Sequence, residues 1–261
     1  MNTIDIGLQG TQHICRDQLI RELLEQNKNV ILNGELNNAI CYDGIVDDRQ
    51  YSRSKYPVAF LLKETNGNTS DGKKPDHYTD WDYVEWIRES QSKADEPLYP
   101  TFRNISMWTS IYFDLLEKGG ASKEKYLTNG VLQVTDSLRK ALRRIAVINL
   151  KKTFGGGSTK WEDMEEYLNQ DVRGVLREQL YIAAPSVVLC GGDAVFDWAR
   201  QIFDGFEVTV QTAATEGGGV VQYFTMRETV FVRFYHPACR KSREAMFDYA
   251  EDVLKTVIGI L

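Results

Sequence analysis

Short apolar runs alternate with longer stretches of helical periodicity along most of this chain. Pro57-Val-Ala-Phe-Leu-Leu62, Ile145-Ala-Val-Ile-Asn-Leu150, Ser186-Val-Val-Leu-Cys190 and Thr229-Val-Phe-Val-Arg-Phe-Tyr235 are the runs. Each is apolar on both faces of an extended backbone, as a strand buried between helices must be. Between them, apolar residues recur every three to four positions. The stripes are Leu19, Ile20, Leu23 and Leu24; Trp81, Val84 and Ile87 behind a cap at Thr79 or Asp80; and Ile105, Trp108, Tyr112 and Leu115 between Thr101 and Gly119-Gly120. Val131, Val134, Leu138 and Leu142 predict another helix, and the stripe through Met164, Leu168, Val172, Val175 and Leu180 predicts one from Trp161 to Tyr181. Phe196, Ala199 and Phe203 mark the next, and Ala245, Met246, Tyr249, Val253 and Leu254 the last. Glu207 to Thr212 and Val220 to Met226, joined by Gly217-Gly-Gly219, read as a hairpin.

Strands alternating with helices predict an α/β fold: a three-layer αβα sandwich around a central, mostly parallel four-stranded sheet. No internal repeat or linker divides the chain. Residues 1–261 therefore read as a single α/β domain, with 1–56 as a helical and irregular N-terminal extension packed on it.

Composition narrows the class. The hydrophobic fraction of 43% and charged fraction of 26% are those of an ordinary globular protein. No apolar run approaches the roughly 20 residues that span a bilayer, and the early residues lead to the expectation of no secretory signal. Cys15, Cys41, Cys190 and Cys239 are scattered without a C-x-x-C pair, so the expectation is a cytoplasmic protein with reduced thiols, no metal and no cofactor. A net charge of −6 counts against indiscriminate nucleic-acid binding. Yet residues 121–160 carry nine basic side chains against two acidic ones, and Arg233, Arg240, Lys241 and Arg243 bracket His236. If the two regions meet, an acidic protein carries one basic face.

In a parallel sheet, the carboxyl ends of the strands share one edge, and ligands bind there. The four runs deliver Glu64, Thr65 and Asn66 in a long polar loop, then Asn149 with Lys151 and Lys152, then Gly191-Gly192, then His236-Pro237. A carboxylate, a carboxamide and an imidazole would thus converge. No nucleophilic serine or cysteine stands beside the histidine in that set, and Cys239 reads as a small thiol packed at a helix start. Gly155-Gly-Gly157-Ser-Thr-Lys160 has the wrong order for a Walker loop and reads as a flexible basic loop.

The order strand–Glu-x-x-Gly, strand–Asn-x-x-Lys, Ala-Pro-Ser-Val-Val-Leu-Cys-Gly-Gly-Asp-Ala and strand–His-Pro-Ala resembles the uracil-DNA glycosylase superfamily, from about Pro57 onward. The resemblance implies a monofunctional glycosylase hydrolysing the bond to uracil or another modified base, with DNA, in single strands or with a flipped base, as partner to a monomeric protein. It assigns Glu64 to water and to positive charge on the sugar, His236 to the departing base, and Asn149 to reading the base edge. Asn66 would assist that reading, and Phe102 or Trp81 would stack on the extruded base. Lys151, Lys152, Arg240, Lys241 and Arg243 would hold phosphates. The first loop reads Lys-Glu-Thr-Asn-Gly instead of the family's Gly-Gln-Asp-Pro-Tyr or Gly-Glu-Ala-Pro-Gly. Ala238-Cys-Arg-Lys241 stands where many relatives insert a leucine into the duplex. The cysteine spacing of the iron–sulfur branches is absent. The alternative is a nucleic-acid- or nucleotide-binding module that keeps the fold without cleaving a bond.

Overall fold

A computed structural model describes residues 15–33, 38–66, 78–93, 97–155 and 161–261. Its main sheet has strands β1 (Gly44–Ile45), β2 (Val58–Leu62), β3 (Ile145–Asn149), β4 (Val187–Gly191), β5 (Gln211–Ala214), β6 (Val220–Met226) and β7 (Thr229–Phe234). Their spatial order is β5-β6-β7-β4-β2-β3-β1. The neighbours β7, β4, β2 and β3 pair in parallel. β6 pairs antiparallel with β7, β5 with β6, and β1 with β3. The sheet is therefore mixed and seven-stranded, not four-stranded. The hairpin, its first arm at Gln211–Ala214 and not Glu207–Thr212, extends one edge, and a strand from within residues 1–56 closes the other. Gly44 makes that last pairing feasible: its φ is +141°, and a Cβ there would lie 3.0 Å from Ile20.

Alternation along the strands sorts side chains into two cores. Val58, Phe60 and Leu62 of β2 join Trp108 and Met246 on one face, whereas Ala59 and Leu61 join Met164, Leu180 and Phe196 on the other. Helices α2 (Pro100–Lys118) and α6 (Arg243–Ile260) supply the first core; α1 (Arg16–Gln26), α3 (Trp161–Tyr167), α4 (Gln170–Ala183) and α5 (Asp193–Gln201) supply the second. Full burial of each large apolar side chain contributes about 1.5–3 kcal/mol, which is why both faces of these strands are apolar. No helix among the described residues is long and apolar enough to cross a membrane.

Several helix boundaries differ from the periodicity for local reasons. Trp81–Asp82 is a short strand pairing with Cys41–Tyr42, and Asp82 rather than Thr79 or Asp80 caps the helical turn that follows. Tyr99, not Thr101, is the N-cap of α2, because Pro100 at the first helical position fixes the start. Val131 belongs to a two-residue strand and is exposed with Val134, the helix beginning only after Thr135 accepts from the Leu138 N–H. The stripe from Trp161 to Tyr181 breaks between α3 and α4, where Asn169 caps α4 by accepting from Asp171 and Val172 N–H.

One polar cluster lies wholly inside. Asp43 is 2% exposed, and its side chain accepts from Asn149 N (2.6 Å), Asn149 Nδ2 (3.0 Å), Lys152 Nζ (2.7 Å) and Gln179 Nε2 (2.9 Å). The Lys152 side chain is fully buried; desolvation pushes its ammonium below the ordinary lysine value, against the pull of Asp43. Removing one member of a buried pair leaves the other charge uncompensated, at a cost of about 3–5 kcal/mol. Lys152→Met should lower unfolding free energy by about that much in urea titration, and the double variant Lys152→Met with Asp43→Asn should recover part of the loss. Equal loss in the single and double variants would show that the pair is not the source.

Candidate active site at the carboxyl edge of the sheet

β2 and β4 lie side by side, but their crossovers leave in opposite directions, β2 toward β3 and β4 toward β7. The chain thus opens a crevice outside their carboxyl ends, where open α/β sheets bind ligands. Gly191 ends β4 at the closest approach: a Cβ would sit 2.9 Å from Leu62 Cδ2 and 3.2 Å from Pro237 Cδ. The turn after β7 accordingly folds back over the ends of β4 and β2. Gly192, with φ +111°, lies next to His236, 3.7 Å from the site of its own absent Cβ to that of His236.

His236 is exposed, and its Nδ1 accepts from the Ala238 N–H at 3.1 Å. With Nδ1 occupied as an acceptor, the neutral ring carries its proton on Nε2. Surrounding protein atoms, and secondly the Lys63 ammonium, hold its pKa below the usual imidazole value of 6.5. The ring is therefore an Nε2–H donor at neutral pH, with no net charge.

Glu64 is the opposite case. Its side chain is only 4% exposed, and neither carboxylate oxygen has a hydrogen-bond donor among the described residues. Lys63 Nζ lies 3.6 Å from Oε1. The carboxylate rests against Gly155, where a Cβ would fall 1.9 Å from Oε2, so any larger residue there would displace the Glu64 carboxylate. Desolvation raises the Glu64 pKa above 4.5, opposed by Lys63 and Lys151 and reinforced by Asp163. Lys63 joins the two halves, near enough to pair with Glu64 and to depress His236.

The remaining expected residues divide. Asn149 is 1% exposed, and its amide nitrogen faces Asp43; a carboxylate only accepts, so the orientation is fixed with that nitrogen toward Asp43. Lys152 cannot hold a phosphate, since it is sealed in the interior with Asp43. Phe102 is 2% exposed and packs on Tyr83 and Trp86 in the first core, so it does not stack on a ligand. Trp81 is half-buried among Tyr83, Trp86 and Phe154. Asn66 pairs through its backbone strand with Gly155, beside Glu64. Lys151 is half-buried, its Nζ 5.4 Å from the Tyr167 ring centre. Arg240 and Lys241 are exposed, Lys241 over the Tyr235 ring at 4.9 Å. Arg243 donates to Asn104 Oδ1, and Asn104 Nδ2 donates to Pro237 O, which ties the start of α6 and the first turn of α2 to the His236 turn.

The basic run of residues 121–160 does not form a single face. Lys123 pairs with Asp248, Lys125 with Asp114, Arg143 with Asp47 and Arg144 with Glu117, while Arg139 is buried. Residues 67–72 of the first loop and 156–160 of the glycine-rich loop lie outside the described residues. Lys63 has no role in the sequence reading, and Gly155 reads there only as the start of a flexible basic loop. Their signal is positional: one precedes the acid, and the other opens a glycine run just after the neighbouring strand.

No protein-family model, curated protein or solved structure matches the chain.

A buried carboxylate without donors costs stability when ionised. Because the folded pKa of Glu64 is raised, the folded state binds its proton more tightly than the unfolded chain. That contribution is present below the unfolded pKa of about 4.3 and is lost as pH rises through the folded value. Glu64→Gln should therefore melt higher than the wild type at pH 7.5, with the difference shrinking toward about pH 4, by scanning fluorimetry at each pH. A pH-independent difference would place the effect elsewhere.

Proposed function

We propose that this protein is a DNA N-glycosylase that hydrolyses the bond between deoxyribose and uracil or another modified base. The observation carrying this reading is the presence, at one sheet edge, of a buried donor-free carboxylate on Glu64 and an exposed His236 whose Nδ1 accepts from the Ala238 N–H, leaving Nε2–H as the free donor. Cleavage of an N-glycosidic bond develops positive charge on the sugar and negative charge on the base. An ionised Glu64 stabilises the first and orients the attacking water. The C1′–N electron pair leaves with the base, whose developing negative charge is met by the His236 donor. A neutral imidazole fits the task because it donates without needing to lose its proton at neutral pH. The depressed His236 pKa keeps it neutral. The order of strands and the His-Pro turn supply the family resemblance that names the reaction.

Two observations favour a second reading, a nucleic-acid- or nucleotide-binding module without cleavage. The expected base-reading amide of Asn149 is already engaged by Asp43, and the expected stacking ring of Phe102 is in the core. On the glycosylase reading the base edge is then met by groups other than the Asn149 amide and the Phe102 ring.

Incubation with oligonucleotides carrying a panel of modified bases, followed by detection of abasic sites, decides between the two. On the first reading, His236→Ala slows single-turnover base release by about 10²–10³, the usual cost of one preorganised donor, while its melting temperature and DNA affinity stay near wild type. The acid limb of the rate should fall as Glu64 protonates, at a pH above the ordinary carboxylate range, and Glu64→Gln should be inactive throughout. No abasic product from any base in the panel would leave the binding reading.

A further inference from the structure

Among the described residues, the exposed charges beside the His236 turn are basic and those on α3 are acidic, with half-buried Lys151 over the Tyr167 ring of α3. On the α2 and α6 side, exposed Arg103, Arg240 and Lys241 and half-buried Arg243 surround the His236-Pro237 turn, anchored through Asn104. On the α3 side, Glu162, Asp163, Glu165 and Glu166 are all exposed, and Asp163 is close enough to Glu64 to raise its pKa. The two sides lie across the sheet from each other. Phe102 of α2 and Met246 of α6 belong to the core on one face, Met164 and Tyr167 of α3 to the core on the other.

From this polarity we infer that the crevice takes one nucleic-acid strand along its α2–α6 side and excludes a duplex. The inference rests on the reading of the site as a nucleic-acid site and adds the form of the substrate. Phosphates are drawn to the arginine and lysine side chains and repelled by the four carboxylates. A duplex presents two backbones, separated by grooves of about 6 and 12 Å, so seating one on the basic side brings the other toward the acidic side. Aromatic chemistry points the same way. Tyr99, 57% exposed at the start of α2, stands edge-on to Trp86 with ring centres 5.3 Å apart. It offers a surface on which an unpaired base stacks, and such contacts serve single strands because every base has a π face. The turn after His236 carries Ala238 at its exposed tip, which has no bulk to pry a base from a duplex. A single strand needs no prying.

The test is fluorescence anisotropy with labelled oligothymidylate, alone or annealed to its complement, at one low salt concentration. Wild type should bind the single strand about tenfold or more tighter than the duplex, a difference of about 1.4 kcal/mol. Combining Glu162→Gln, Glu165→Gln and Glu166→Gln should narrow the ratio by tightening duplex binding alone. Tyr99→Ala should weaken single-strand binding about fivefold or more, while Tyr99→Phe keeps it. Arg103→Ala and Lys241→Ala should each lower the salt slope by about one. Equal affinity for both forms, a preference for duplex, or a ratio unchanged by the glutamine variants would overturn the inference. The probes carry no modified base, so failure of base release leaves these outcomes intact, and failure of strand preference leaves base release to be judged separately.

Discussion

Asp43 is the constraint on which the carboxyl edge of this sheet depends. Its side chain accepts from the backbone and amide of Asn149, from the Lys152 ammonium and from Gln179, so the end of β3, the start of β1 and the middle of α4 meet at one buried carboxylate. A buried charge is tolerated when it is paired and its lone pairs are filled. Four donors fill them here. Around this point the Cys41 N–H donates to Lys152 O and Ile40 bridges Thr153, so the segment leaving β3 is held in place on its way to Phe154 and Gly155. Gly155 is the surface against which Glu64 lies.

Two of the buried carboxylates among the described residues therefore stand in contrast. Asp43 has every partner it needs and holds the frame; Glu64 has a lysine at 3.6 Å and no hydrogen-bond donor among the described residues. A protein that built only for stability would satisfy the second as it satisfied the first. The unfilled oxygens of Glu64 sit just past the carboxyl end of β2, one of the two neighbouring strands whose crossovers leave in opposite directions. Lys63 mediates between the acid and the histidine, favouring the charged form of one and the neutral form of the other.

Much of this was readable from residues alone. The four runs apolar on both faces are the four parallel strands, because only a sheet covered on both sides demands that pattern. β1 was not readable: two residues carry no periodicity, and Gly44 looks like any turn glycine until its neighbour Ile20 is known. The positions of Glu64 and His236 at the edge followed from strand ends. What local sequence could not reveal was competition for polar groups from far along the chain. Asn149 ends β3 and Lys152 follows it, as functional residues would, yet Asp43, more than a hundred residues earlier, takes both inward. Phe102 failed for a similar reason, since an aromatic on a helical stripe belongs first to the core.

The order of strands also bears on how the chain is made. β2 and β3 can pair once Asn149 has been made, and β4 then adds to the other side of β2. From that moment until β7 emerges, β4 offers an unpaired row of backbone groups between two apolar faces, the kind of edge that recruits other chains. Closure waits for β7, and the β5–β6 hairpin made just before it caps the sheet beyond it. A ribosome stalled before Thr229 would thus release a sticky half-sheet rather than a smaller working protein, and the residue that completes the crevice, His236, is translated only after the strand that seals that edge.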